Sequence, residues 1–274
     1  MTLRACVVGS TNVDRVLRVA VLPSPGQTVL AAGATREPGG KGGNQAVALA
    51  RLGAAVSLVS AVGSDAEGMW SLDVLRAEGV DTQCVDVADA PTGLAVVVVD
   101  TSGENTIVVS PGANAHVQPP DALEADVVLL SLEVPLETVM RTAALARERG
   151  VPVVLNAAPA RELPASLLEL VDVLVVNEQE WEAVGRPALD RVVVTLGSAG
   201  CRVQEGGRHE HLPAVPVAAV DTTGAGDCFA AALAYGIGSG WELMRSAELA
   251  VRAAAAAVTS PGARGGLPRH DDLL

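Results

Sequence analysis

The densest chemistry in this chain lies between Val220 and Phe229, in the run Asp221-Thr222-Thr223-Gly224-Ala225-Gly226-Asp227-Cys228. An apolar segment passes through a glycine-rich turn into an alanine-rich run, the pattern of a strand ending in a loop that opens a helix. Gly224, Ala225 and Gly226 offer backbone N–H groups with no bulky side chain in the way, at the positive end of a helix dipole, where a bound or developing anion is stabilised. Asp227 follows at once. A carboxylate beside negative charge suits proton abstraction better than anion binding, but it also suits a helix cap, and this stretch alone leaves both readings open.

Two stretches nearer the N-terminus carry a different chemistry. Asn12 and Asp14 stand two apart, so in extended chain an amide and a carboxylate point the same way and can grip neighbouring hydroxyls; an Asx turn is the other reading. Pro38-Gly39-Gly40-Lys41-Gly42-Gly43-Asn44-Gln45 sets four glycines around one lysine. That loss of chain entropy is hard to offset unless a ligand must approach the backbone, and a helix predicted from Ala46 to Leu52 argues against a mere linker. The loop is not a Walker A sequence, because Gly follows Lys41 and Thr35 stands where the first glycine belongs. Further along, polar residues recur where apolar runs end: Glu133, Asn156, Asn177 with Glu180 a helical turn later, and Thr195-Leu196-Gly197-Ser198-Ala199-Gly200. Each alone is a cap or turn residue. Several delivered to one edge of a sheet are better explained by a ligand cleft.

The elements that would position these residues follow from hydrophobic period. Strands are predicted at 3–9, 56–62, 83–87, 127–132, 151–156 and 171–177, with a further strand ending at Thr195. Helices are predicted at 66–78, 136–149, 164–170, 230–236 and 242–259, and one short helix fits the connector 178–190. From Asp126 onward strand and helix alternate, which implies right-handed crossovers and an α/β fold: a mostly parallel central sheet between two helical layers. Short strands at 16–19 and 28–31, with a hairpin of 94–100 against 106–110, form a small separate sheet. No internal repeat or interdomain linker is evident, so residues 1–274 read as one α/β domain carrying a small β lid, roughly 13–36 and 93–110.

Composition narrows the function. The formal net charge of −13 argues against nucleic acid and anionic membrane partners, which demand clustered Lys and Arg. Aromatics are limited to three Trp, one Tyr and one Phe, so the core must be built from Val, Leu and Ala. Cys6, Cys84, Cys201 and Cys228 lack metal-ligand spacing and sit mostly among apolar or small residues, which predicts buried reduced thiols. His209 and His211, with isolated His116 and His270, lack partners at ligand spacing and read as surface or edge-strand residues. With no signal-peptide-like stretch, the expectation is a cytoplasmic protein.

Taken together, these motifs resemble the PfkB carbohydrate kinase family, and its ribokinase branch most. The resemblance runs in order along the chain: Asn12 and Asp14, Gly39 to Asn44, Leu132-Glu133, the segment from Leu155, Asn177 to Glu180, Thr195 to Gly200, and Asp221 to Asp227. It implies a ribokinase-like three-layer α/β/α sandwich and transfer of the γ-phosphoryl group of ATP to the primary hydroxyl of a pentose such as ribose, with another sugar or a nucleoside of the same family as the alternative acceptor. By that resemblance Asp227 is the general base, and the amides of Gly224, Ala225 and Gly226 form the anion hole. Asn12, Asp14, Gly40, Lys41, Gly42, Gly43, Asn44 and Glu133 hold the sugar. Asn177 and Glu180 organise Mg²⁺ and phosphate, and Thr195, Leu196, Gly197, Ser198, Ala199, Gly200, Gly226 and Val251 border the nucleotide. Asp221, Thr223, Ala257, Ser260, Gly262 and Gly266 are the implied K⁺ ligands, and the lid implies a homodimer. Three features depart from the family pattern: the segment between Asn177 and Thr195 is short, Val251 replaces a polar residue near adenine, and Gly266 contributes only its carbonyl to the cation loop.

Overall fold

Short runs of Val, Leu and Ala between polar turns build the centre of the structure, a computed structural model that describes residues 2–273. Nine strands form the large sheet, seven of them such runs and the last two more polar. In chain order these are β1 (Arg4–Val8), β4 (Ala55–Gly63), β5 (Val85–Ala88), β8 (Val127–Ser131), β9 (Val153–Asn156), β10 (Val173–Asn177), β11 (Val192–Thr195), β12 (Cys201–Glu205) and β13 (Arg208–Leu212). Their order across the sheet is β13-β12-β11-β10-β9-β8-β1-β4-β5. Pairing is parallel from β5 to β11 and antiparallel across β12 and β13. Parallel strands covered on both faces need apolar residues at every position, and VVLLS of β8 is buried throughout.

The pleat sends alternate residues into two cores. Ala5, Val7 and Leu129 pack with helices α1 (Lys41–Arg51), α6 (Ala225–Gly238) and α7 (Leu243–Ala257). Cys6, Val8 and Leu130 pack with α3 (Leu136–Glu148) and with Leu167 of the short α4 (Ala165–Leu168). Helix α2 (Ala66–Ala77) adds Leu72 and Leu75 to the first core. Leu129 and Leu130, both fully buried, thus stabilise opposite layers, each by roughly 1.5–3 kcal/mol. The result is the expected α/β/α sandwich.

The second sheet has the order β3-β2-β6-β7, from β2 (Asn12–Arg18), β3 (Gly33–Gly39), β6 (Gly93–Val99) and β7 (Asn105–Ser110). Here the sequence reading needs correction. No strand forms at the predicted 28–31; the antiparallel partner of β2 is β3, whose Ala34-Thr35-Arg36-Glu37-Pro38 run has no apolar alternation. An edge strand tolerates this, since Pro38 withholds an N–H that a central strand would need. The first lid strand also begins earlier than 16, so Asn12 and Asp14 lie on it. Glu67 of α2 bonds both Arg15 and Arg36, and Arg36 lies 4.1 Å above the Trp70 ring, which ties the small sheet to the body.

Other elements shift at their boundaries. Helix α1 starts at Lys41 instead of Ala46, because first-turn N–H groups need no intrahelical partner and the small residues let Gly43 donate to Ser10 O at 2.9 Å. Helix α6 likewise begins at Ala225. The β12–β13 hairpin, absent from the reading, closes the sheet with a polar edge strand that carries His209 and His211. Cysteines 6, 201 and 228 are buried free thiols; Cys84 is exposed, since it sits in the turn before β5.

Candidate active site

Asp227 lies in the first turn of α6, one of the few carboxylates the fold buries: its exposure is 6%. Asn44 Nδ2 donates to its Oδ2 at 3.0 Å and Gln45 Nε2 to its Oδ1 at 3.3 Å. Burial pushes its pKa above the ordinary carboxylate range, opposed by the Lys41 ammonium and by the Asn44 amide. Lys41 is in turn held above the usual lysine value by Asp227, against the cost of burial, with Glu133, Glu180 and Asp14 adding to the effect. A carboxylate with a raised pKa is a better proton acceptor, and the cation beside it keeps it ionised.

The turn before Asp227 has the geometry that glycine permits. Gly224 is the residue before the helix, with φ 75°, and a Cβ there would meet Ala263 O at 2.6 Å. Gly226 and Asp227 face a cavity of about 150 Å³ that Lys41, Asn156, Asn177, Glu180, Thr195 and Gly224 also line. Thr195 and Gly226 also border a second, more apolar cavity of about 410 Å³. Gly197, Ser198, Gly200, Val215, Val217, Phe229, Val251 and Ala255 line this larger space. Two of the expected nucleotide residues fall outside both linings. Leu196 packs into the core, and Ala199 O instead accepts a bond from His211 Nε2 at 2.8 Å.

The end of β1, the starts of β2 and α1, and Glu133 after β8 assemble a polar cluster. Glu133 accepts from Lys41 N at 3.3 Å and from the Ser10 hydroxyl. Asn12 is buried, its Oδ1 fixed by Asn114 Nδ2 at 2.7 Å. Asp14 sits where a Cβ at Gly39 would fall, and its Oδ1 has no partner. Burial and the neighbouring Glu133 raise the Asp14 carboxyl to about 6, with Glu37 and Asp227 adding to this and Arg264 opposing it. Carboxylates, amides and an ammonium in one place supply the mixed donors and acceptors a polyol requires.

Asn177 and Glu180 reach the smaller cavity from the start of α5 (Glu178–Ala183), where they form a capping box: Asn177 Oδ1 accepts from Glu180 N at 2.8 Å and Glu180 Oε2 from Asn177 N at 2.7 Å. The cap engages the single amide oxygen of Asn177 and one of the two carboxylate oxygens of Glu180, leaving Glu180 Oε1 outside it. Burial raises the Glu180 carboxyl, opposed by the Asn177 N–H and Lys41. Among the described residues no group of three or more His, Cys, Asp or Glu is disposed to hold a metal ion. The oxygen donors here fit a hard ion that keeps waters and takes most ligands from a phosphate chain.

The loop after α7 meets the turn before α6. Asp221 Oδ1 accepts from Thr223 N at 2.9 Å and Oδ2 from Gly262 N at 2.8 Å. Against the cost of burial, those backbone N–H groups hold the Asp221 carboxyl below its usual range. A Cβ on Gly266 would lie against the Ala257 carbonyl, so residues 221–223, 257 and 260–266 share one small region. A carboxylate, hydroxyls and carbonyls are the donor set of a hard monovalent cation, and Gly266 adds no side chain to it.

Several site residues escaped the sequence reading. Ser10, Asn114, Gln45 and Arg264 are buried; Ser10, Gln45 and Arg264 stand beside or within predicted motifs, and Asn114 alone is far from all of them. Asn114, in a short 3₁₀ turn after β7, accepts from Thr11 N and orients Asn12 from 102 residues away.

Residues 2–270 match the model of the pfkB family carbohydrate kinases. The Bacillus subtilis ribokinase is 38% identical over 286 residues, spanning 98% of this chain and 97% of that one. The Thermotoga maritima ribokinase structure superposes with a TM-score of 0.90 at 31% identity, covering 99% of this chain and 98% of the other. The Arabidopsis thaliana ribokinase, solved with ribose and ATP, does so with a TM-score of 0.87 at 31% identity, covering 100% and 98%.

Proposed function

The chain belongs to the pfkB family of carbohydrate kinases, and from that premise we propose that it transfers the γ-phosphoryl group of ATP to the primary 5-hydroxyl of D-ribose. The observation that carries this reading is the place of Asp227: a buried carboxylate at a helix start that is bonded to Asn44 of the polar cluster and lines a cavity sharing Thr195 and Gly226 with an apolar pocket. The ribokinase name of the Bacillus relative and the ribose and ATP of the Arabidopsis structure support the choice of substrates.

In this account Asn12, Asp14, Gly40, Lys41, Gly42, Gly43, Asn44 and Glu133 hold the sugar so that its 5-hydroxyl faces Asp227. Asp227 takes the hydroxyl proton as the oxygen attacks the γ-phosphorus and the bond to the bridging oxygen of ADP breaks. The N–H groups of Gly224, Ala225 and Gly226, with Lys41, receive the charge on the transferring group. Phosphoryl transfer asks a protein mainly for positioning and charge stabilisation, and this constellation provides both. The larger cavity takes the adenosine, where Val251 offers contact area but no hydrogen bond. Asn177 and Glu180 would hold Mg²⁺, which when bound neutralises charge on the β- and γ-phosphates. Asp221, Thr223, Ala257, Ser260, Gly262 and Gly266 would hold K⁺.

We place the enzyme in the cytoplasm, in keeping with its four free cysteines; among the described residues no helix is long and apolar enough to cross a membrane. A homodimer through the small sheet is supported by β7, where Ile107, Val108 and Val109 expose 52, 65 and 45% of their surface. An ADP-release assay over pentoses, deoxypentoses, hexoses and nucleosides tests the substrate. D-ribose should give the highest kcat/KM, and a higher value for any other acceptor would overturn the assignment.

A further inference from the structure

Arg264 is the most deeply buried cation in the described structure whose charge no carboxylate pairs, with 7% exposure and no ion pair. Desolvating a guanidinium is costly, so its retention calls for a use. Nε donates to Asn44 Oδ1 at 2.9 Å, Nη2 donates to the Gly39 carbonyl at 3.2 Å, and Nη1 has no partner. The glycine loop is shaped around the group, since a Cβ on Gly43 would lie 2.6 Å from Nη2. The backbone that carries Arg264 is fixed as well: Arg51 Nη1 donates to Arg264 O at 2.8 Å and to Leu267 O at 3.1 Å, while Glu78 holds the rest of the Arg51 guanidinium.

The Asn44 amide has an oxygen that only accepts and a nitrogen that only donates. Arg264 has donors alone, so it can engage only the oxygen, which leaves Nδ2 to donate to Asp227 Oδ2 at 3.0 Å. The flipped amide would set its N–H groups against the guanidinium and its oxygen against the carboxylate, two repulsions in place of two bonds. We propose that Arg264 is a positioning residue for phosphoryl transfer: its Nε–H fixes the Asn44 amide, and through it the direction in which the Asp227 carboxylate faces the acceptor hydroxyl. This inference rests on the kinase reading above, and it names a residue that touches neither sugar nor nucleotide in that reading.

Two substitutions separate the donor from the charge. In Arg264→Gln the amide nitrogen falls at the position of Nε, keeping the donor and losing the charge. In Arg264→Lys a methylene falls there, keeping the charge and losing the donor. With D-ribose and ATP, Arg264→Gln should hold kcat within about threefold of the parent. Arg264→Lys should lose about tenfold or more in kcat, with the sugar KM changed less than about threefold, as expected for one charge-assisted bond. In an Asn44→Ala background either substitution should cost less than about twofold further, because the route through Asn44 is already gone. Retention by Lys with loss by Gln, equal effects of the two, or losses that multiply with Asn44→Ala would each overturn the proposal. If the parent enzyme phosphorylated no sugar at all, the kinase reading itself would fail, an outcome distinct from any of these.

Discussion

Asp14 and Asp227 are both acidic residues displaced upward in pKa, but what surrounds them differs and so do the consequences. Asp227 is compensated by Lys41 and two amides; Asp14 keeps an unpartnered oxygen and faces Glu133, Glu37, Asp227 and Arg264. As a sugar ligand Asp14 must accept hydrogen bonds from hydroxyls, which its charged form does best. Its carboxyl titrates at about 6, so as pH falls through that value the group gains a proton and loses acceptor capacity. The sugar KM should therefore rise severalfold between pH 7 and about pH 5, while Asp14→Asn should start from a raised KM that varies little over the same range. An Asp14→Asn variant with the parent sugar KM at pH 7 would remove Asp14 from the sugar contacts. Asn12 should depend on Asn114 in a similar manner. Asn114→Ala leaves Asn12 Oδ1 and Thr11 N without their partner, and a buried unsatisfied group of this kind costs about 1–3 kcal/mol. Steady-state kinetics should show its KM for sugar raised more than its KM for ATP.

At the scale of elements, the start of α6 is set by a conformation that side chains resist. Gly224 has φ 75° and stands 2.6 Å, at the place of a missing Cβ, from Ala263 O. Gly224→Ala thus meets two obstacles, a left-handed backbone that costs roughly 1–2 kcal/mol for a residue with a Cβ and a clash with the neighbouring loop. Calorimetry should find the melting temperature lowered by several degrees, and kcat should fall more than the folded fraction does, because the same shift misaims the N–H groups beside Asp227. An Ala variant with parent kcat would show that the turn needs no such conformation. The same reasoning explains why α1 was read too short: glycines 42 and 43 lower intrinsic helix propensity, yet the first turn of a helix is where close packing on Gly9 and Ser10 outweighs it.

Across the whole molecule, what the sequence revealed divides by range. Period-2 and period-3.6 patterns located the central strands and the large helices, because strands such as β8 and β10 are buried on both faces and therefore apolar at nearly every position. The β12–β13 hairpin stayed hidden because Arg208-His209-Glu210-His211 lies at the exposed edge, where no burial imposes a pattern. The site was legible where a motif is local, as in residues 221–227 or 39–44. It was not legible where the partner is remote: Arg264 meets Asn44 across 220 residues, and although each lies in or beside a local motif, nothing in either announces the pairing. Assembly belongs to this scale too. Ile107 and Val109 share one face of β7, and Ile107→Glu with Val109→Glu should convert a dimer into a monomer near 27.7 kDa by light scattering. A monomeric parent would exclude the small sheet as an interface.

The central claim is that Asp227 removes the proton of the sugar hydroxyl, and Asp227→Asn tests it most directly, because the amide preserves size while removing basicity. Measured with D-ribose and ATP at saturating concentrations, the variant should stay folded, with its melting temperature lowered by a few degrees because the new amide nitrogen meets the donor of Asn44 or Gln45, while kcat falls by about 10²-fold or more and the sugar KM changes far less. A folded Asp227→Asn enzyme that turns over at close to the parent rate would contradict the account.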